Sequence, residues 1–226
     1  MRIAVIPVSL SVLLLAACSM PAPLKKVEAR EPIAIPAGTE VRPIEVRPIA
    51  VKLKFNEEWG VKGQPPGCMI HPGNTLLWRP EREGPFGRRF TSVLLRELEK
   101  SNYSATTDAS TVETKGAEAG ASMTSMPAPR EKIVITGTVK KITLNLCNPV
   151  PYNRVYAYGE SYLRTEWKIQ AGANADTALQ LVTEGSSKID ESQNGIEWVL
   201  LSNAFAVSVR NLLADPKFHP LVTGSQ

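Results

Sequence analysis

Four stretches of this 226-residue chain carry the alternating pattern of a strand, and two carry the pattern of a helix. From Glu131, Ile133, Ile135, Gly137 and Val139 share odd parity, whereas Ile142, Leu144 and Leu146 share even parity. Successive side chains of a strand point to opposite faces, so the buried face switches across Lys140-Lys141 and a β-bulge is predicted there. A further strand runs from about Arg154 to Gln170, with Val155, Ala157, Leu163, Trp167 and Ile169 inward and Glu160, Arg164, Glu166 and Lys168 outward. Leu179 to Lys188 reads as a shorter strand after the turn Ala171 to Asp176, and Ile49 to Phe55 as a first strand with Val51, Leu53 and Phe55 on one face.

The helical period appears first near Pro85, with Phe86, Phe90, Val93, Leu94 and Leu98 on one side and Arg88, Arg89, Arg96, Glu97 and Lys100 on the other. Proline suits the first turn, where its missing N–H is no loss. Asn194-Gly195 leads into a second helix, Ile196 to Leu213, striped by Trp198, Leu201, Phe205, Val209 and Leu212. Val199, Leu200 and Val207 widen its apolar arc, so it is expected to be well buried or shared with a partner. Pro216 and Pro220 end it before a flexible tail, 216–226.

Between these elements lie segments of a different character. Glu57 to Pro80 is a loop rich in Gly and Pro that contains Cys68. Residues 104–130 are poor in large apolar side chains and are read as a disordered insertion, because they cannot bury enough surface to offset the entropy of ordering. From Ser19 to Pro48 the chain carries six prolines among mixed charges, and Val41-Arg42-Pro43-Ile44 recurs as Val46-Arg47-Pro48-Ile49. Prolines at this density predict an extended linker, which would reach roughly 90 Å in a polyproline-like state. The resulting plan is a signal at 1–17, a tether at 18–48 and one domain at 49–215. The predicted fold is α+β: a two-layer sandwich in the order βαβββα, with a mostly antiparallel four-stranded sheet and two helices on one face.

The first eighteen residues set the location. Arg2 precedes an apolar run, Ile3 to Leu15, too short for a transmembrane helix and broken at once by Pro21 and Pro23, as in a secretion signal. Its ending, Leu15-Ala16-Ala17-Cys18, resembles the lipobox of bacterial lipoproteins, in which the Cys thiol is acylated before the preceding peptide bond is cut. The resemblance implies a mature chain that begins at a lipidated Cys18. Ser19, where inner-membrane lipoproteins often have Asp, implies the outer membrane, on its periplasmic side. An ordinary signal cleaved near Ala17, with Cys18 a free thiol or a disulfide partner, is the competing reading. The layout also resembles compact periplasmic lipoproteins: the lipopolysaccharide-assembly lipoprotein, auxiliary lipoproteins of ABC-type lipid transporters, and the amino-terminal domain shared by TolB and several export lipoproteins. That resemblance rests on the order of elements and the anchor.

Composition narrows the chemistry. A net charge of +4 without a dense Lys/Arg block does not imply nucleic acid in an exported protein. Cys68 and Cys147 are the remaining cysteines, and in an oxidising compartment such a pair is more often a disulfide than two thiols. A catalytic thiol helped by His71 is the alternative, without CxxC spacing. His71 and His219 are the two histidines and lie in separate predicted loops, so no zinc ligand set can be drawn, and no motif for a cofactor, a phosphate loop or a nucleophile elbow is present.

Two surfaces remain as candidate contacts. Arg79, Arg82, Arg88 and Arg89 gather at the start of the first helix and suit an anion or a partner, or simply a solvated helix end balanced by Glu81 and Glu83. Tyr156, Tyr158 and Tyr162 share the outward face of their strand, as a contact strip or as cross-strand packing. The expectation is a non-enzymatic envelope lipoprotein, held to the membrane by its lipid, acting as an accessory or assembly subunit of a transport, secretion or export complex. It needs no cofactor and leaves homo-oligomerisation open. The alternatives are a lipoprotein that binds lipid, glycan or peptidoglycan, and a hydrolase with dispersed residues.

Overall fold

The computed structural model describes residues 21–33, 35, 39–64, 68, 74–107, 131–149, 156–171 and 177–224. In chain order these form β1 (Ile44–Val46), β2 (Ala50–Val51), β3 (Glu58–Gly63), β4 (Thr75–Leu77), a 3-10 turn (Pro80–Arg82), α1 (Glu83–Lys100), β5 (Ala105–Thr107), β6 (Ile133–Cys147), β7 (Tyr156–Ala171), β8 (Thr177–Asn194), α2 (Ile196–Leu213) and α3 (Phe218–Thr223). All eight strands belong to one sheet.

β6 is the spine of that sheet. On one side it pairs antiparallel with β7, which pairs antiparallel with β8. On the other side β1, β2 and β3 run parallel to it in succession, against Ile133–Ile135, Thr138–Val139 and Leu144–Cys147. These three pieces are one interrupted strand. Pro43 and Pro48 flank β1 and cannot donate to a ladder, so pairing is broken there and carried on by Arg47 N–H to Ile135 O and Lys52 N–H to Val139 O, both at 2.9 Å. β5 adds to β1 in parallel, and β4 adds to β3 antiparallel. The bulge in β6 lies where the parity switch requires it: Val139 is level with Thr165 and Lys141 with Arg164, leaving Lys140 unmatched.

The expected sheet of four strands and two helices is thus an eight-stranded sheet with three helices. Its mixed α and β composition stands, but the count differs for physical reasons. The repeated Val-Arg-Pro-Ile, read as linker, places Ile44, Val46 and Ile49 in the core, each essentially fully buried. The first strand read at Ile49 to Phe55 is only its opening, β2, because the chain turns at Lys54–Glu57, where Glu57 N–H bonds Lys54 O. The tail forms α3, with Pro220 in its first turn, where it is tolerated, and Phe218 and Val222 buried. Residues 108–130 of the insertion, the signal at 1–17 and Cys18 lie outside the described residues.

α1 and α2 run side by side in the same direction on one face of the sheet. Arg82 meets Glu197, Phe86 meets Trp198, Phe90 stacks on Phe205 at 4.6 Å, and Glu97 pairs with Arg210. α2 lies so close on β8 that a Cβ on Gly185 would stand 1.9 Å from Ala204 O. Below it a polar chain is closed inside the core: Trp167 Nε1–H donates to Thr183 Oγ1 at 2.7 Å, and Thr183 and Ser208 share a 2.7 Å hydroxyl bond. Pairing of every buried polar atom along this line keeps the close approach from costing desolvation.

The opposite face of the sheet is crossed by residues 21–33, which run along it instead of standing off. Ala22 O accepts from Asn145 Nδ2 at 3.0 Å, Leu24 N–H donates to Glu160 Oε1 at 2.9 Å, and Val27 N–H donates to Ser186 Oγ at 2.7 Å. Arg30 N–H then reaches Asn211 Oδ1 on α2, and Ile33 N–H reaches Leu213 O, so the segment passes round the β8 side of the molecule.

Candidate functional site

Four aromatic residues cluster beside the first turns of α1 and α2. Trp59 of β3, Trp78 before the 3-10 turn and Phe86 of α1 meet edge to face, with centroids 5.2 to 6.2 Å apart, and Phe86 lies 4.4 Å from Trp198 of α2. Edge-to-face packing of this kind adds to the burial energy of each ring. Pro80 starts the 3-10 turn and Pro85 falls in the first turn of α1, so Arg79, Arg82, Arg88 and Arg89 are delivered around this cluster on successive turns.

Three of the four expected arginines sit on aromatic faces. Arg79 lies over Phe55 at 5.3 Å, Arg82 over Trp59 at 5.5 Å and Arg89 over Trp198 at 4.2 Å. A guanidinium stacked this way keeps its N–H edge available to an anion. Arg82 also reaches Glu197 at 3.5 Å; burial pushes the Glu197 carboxyl up, against the pull of Arg82 and Lys62. Arg88 points to solvent. Phe55 is 64% exposed, the largest exposure of any large apolar side chain among the described residues. Sequence reasoning located the charge but missed its seats: Phe55, Trp59 and Trp198 are distant from one another in the chain, and the one local signal was Trp78 directly before Arg79.

The tyrosines do not form an open strip. Tyr156 is 48% exposed at the start of β7, but Tyr162 is 8% exposed. Its hydroxyl donates to Glu184 Oε1 at 2.7 Å, Lys141 Nζ stands 5.9 Å from its ring centre, and burial together with Glu184 pushes its pKa to about 12. Glu184 in turn holds Lys25 of the crossing segment, and these bonds keep its carboxyl below the ordinary range. The parity was right; the face is occupied by the chain itself.

Cys68 and Cys147 are joined, with Cα atoms 5.3 Å apart, and tie the loop after β3 to the end of β6. A bonded sulfur has no proton to give, so the Tyr158 hydroxyl, 2.8 Å from Cys68 Sγ, is the donor. The disulfide, Tyr158, Lys188–Asp190 and, from the crossing segment, Pro21 and Pro23 border a groove of about 380 Å³. His219 is placed in α3, while His71 lies outside the described residues. Among the described residues no group of three or more His, Cys, Asp or Glu is placed to hold a metal ion, and no helix is long and apolar enough to cross a membrane.

No family model matches the chain, and no curated protein matches it. Similar solved structures include the protein XCC0632 of Xanthomonas campestris, 9% identical over 88% of this chain and 94% of that one, with a TM-score of 0.43. The PelC dodecamer of Paraburkholderia phytofirmans is 11% identical over 81% of this chain and 95% of that one, at 0.37. Lipoprotein GNA1162 of Neisseria meningitidis is 10% identical over 75% of this chain and 99% of that one, at 0.31. Scores and identities this low assign neither a family nor a function.

Proposed function

We propose that the protein is a non-enzymatic envelope lipoprotein, anchored through Cys18 at the periplasmic side of the outer membrane, that serves as an accessory subunit of a transport, secretion or export complex. The observation that carries the protein-binding part is β8, an 18-residue strand whose one strand partner among the described residues is β7. An unpaired edge is a template for another chain's backbone, and β8 presents it beside Val182, 45% exposed, with Leu179 and Leu181 half-buried. Among the described residues, the hydrogen bonds of Lys25 and Val27 to β8 fall on Glu184 and Ser186, and the edge from Thr177 to Val182 is the stretch offered to a partner strand. The lipid anchor rests on the lipobox resemblance of Leu15-Ala16-Ala17-Cys18.

Two experiments test this reading separately. Acyl labelling of cells should mark the protein, and Cys18→Ser should abolish the label; a labelled Cys18→Ser chain overturns the anchor. A photocrosslinker at Gln180 should give one defined adduct with an envelope protein in intact cells, lost on Val182→Asp. Adducts with its own chain alone would replace the accessory role with self-assembly.

A further inference from the structure

We propose that the open edge of β8 takes an extended segment of a partner protein whose acidic side chain, Asp or Glu, is clasped between Arg30 and Arg164; this rests on the accessory role proposed above and names what that partner must carry. The ladder fixes which groups the edge offers. β7 and β8 pair without a shift between Gly159 level with Ile189 and Ile169 level with Leu179. In an antiparallel ladder each residue turns its N–H and C=O to the same side, and successive residues turn to opposite sides. Glu184 O accepts from Asn211 Nδ2 of α2 at 3.0 Å, so Glu184 is turned away from β7. Val182 and Gln180, two and four positions earlier, are turned the same way and hold their backbone groups out to another strand.

The edge ends at a pocket. Beyond Glu184 the crossing segment closes it: Val27 N–H donates to Ser186 Oγ at 2.7 Å, the same hydroxyl bonds Val27 O at 3.2 Å, and Arg30 N–H donates to Asn211 Oδ1 at 2.8 Å. A strand laid along Gln180 and Val182 therefore stops where residues 27–30 begin. At that point lies a pocket of about 300 Å³ with Arg30, Arg164, Val182, Glu184, Asn211 and Asp215 in its walls.

The open charge of this pocket is positive. Among the described residues neither the Arg30 nor the Arg164 guanidinium forms an ion pair or a hydrogen bond, and both residues are exposed. The two carboxylates are engaged: Glu184 by Lys25 and the Tyr162 hydroxyl, Asp215 by the Lys217 amide at 2.9 Å. Bonds from Lys25 and then Tyr162 hold the Glu184 carboxyl below its ordinary range, with Arg164 adding to the field. Two guanidiniums are left, one from β7 and one from the crossing segment, and their planar N–H pairs match the two oxygens of a carboxylate. In a protein strand, Asp and Glu supply that group. Adjacent strands lie about 4.8 Å apart, so an added strand stands about 10 Å from β7, a gap that Arg164 and an acidic side chain span together. Val182, 45% exposed, gives the same strand an apolar contact beside the charge.

The test starts from the photocrosslinker at Gln180 in intact cells and continues on the peptide that it captures. That peptide is sequenced, synthesised and titrated by fluorescence anisotropy against the purified protein, alongside copies in which each Asp or Glu is replaced by Asn or Gln. One such replacement should weaken binding roughly tenfold or more, as expected for a charge-assisted hydrogen bond. Arg30→Gln with Arg164→Gln should weaken the acidic peptide by the same factor and leave that amide copy unaffected, with the thermal midpoint unchanged because both side chains are exposed. A captured peptide without Asp or Glu, amide copies that all bind as tightly as the parent, or a double variant that weakens both peptides alike overturns the clasp while edge binding stands. The absence of any adduct at Gln180 defeats the accessory role itself, and the clasp with it.

Discussion

Arg210 Nε donates to Glu97 Oε2 at 2.8 Å, binding the last turns of the two parallel helices through a carboxylate that is only 4% exposed. Burial alone would raise the Glu97 carboxyl, but the bonds from Arg210 and Lys100 outweigh it and hold the pKa below the ordinary value. A group whose pKa is depressed by folding stabilises the protein above its unfolded pKa, and that contribution is lost as pH falls through the folded value. Arg210→Ala should destabilise the fold by about 2 kcal/mol near neutrality, less than for a fully buried pair because Arg210 is partly solvated. Urea unfolding at a series of pH values checks both points: the penalty should shrink as pH drops below about 4. A penalty that is constant with pH would remove Glu97 from the account.

Gly185 is the position on β8 that no side chain can fill. A Cβ there would meet Ala204 O at 1.9 Å and Ser208 N at 2.7 Å, both backbone atoms of α2 that cannot swing away. Gly185→Ala should therefore push α2 off the sheet and disturb the Thr183–Ser208 bond, at about 3 kcal/mol. Thermal unfolding measures it. An unchanged midpoint would mean that α2 does not sit this close.

These two relationships differ in how far they were legible from sequence. The bulge at Lys140 could be read because a one-residue slip reverses the parity of every apolar position after it, and the α1 stripe because Phe86 to Leu98 repeat at helical spacing. Nothing comparable marks residues 21–33. Their bonds run from backbone to the side chains of Asn145, Glu160 and Ser186 and leave no hydrophobic period. The prolines that mark a linker also hid β1, since a broken strand parallel to β6 needs only three paired residues at a time. The arginines were visible as charge, but their stacking on Phe55, Trp59 and Trp198 depends on contacts between separate elements. Tyr162 was given its proper face and the wrong exposure, because parity cannot say what covers a face.

The Cys68–Cys147 bridge, 79 positions apart in sequence, joins the loop after β3 to the last residue of β6. Chain-entropy reasoning gives up to about 4–5 kcal/mol for a loop of that length. Cys147→Ser should lower stability by a large part of that amount and leave α1 and α2 folded, since the bridge joins a loop to β6 and lies in neither helix. Peptide mapping without reduction should recover the two cysteines in one linked pair. Two free thiols in protein taken from an oxidising compartment would contradict the linkage, and unaltered stability in Cys147→Ser would make it dispensable.

Tyr162 reports whether the N-terminal segment lies on the sheet in solution. Its pKa of about 12 comes first from burial and then from Glu184, which is itself held by Lys25. Because the folded value is raised above the unfolded one, the neutral phenol stabilises the fold fully below about pH 10, and this is lost as pH rises through 12. Glu160→Ala removes the acceptor for the Leu24 amide and also the partner of Asn145 Nδ2, so residues 21–27 should loosen and admit water to the phenol. Ultraviolet titration of wild type against Glu160→Ala should show one tyrosine moving down toward its ordinary range, and hydrogen exchange should show the Leu24 and Val27 amides losing protection together. If neither amide is protected in the wild-type protein, residues 21–27 do not lie on the sheet in solution and Tyr162 is covered by something else.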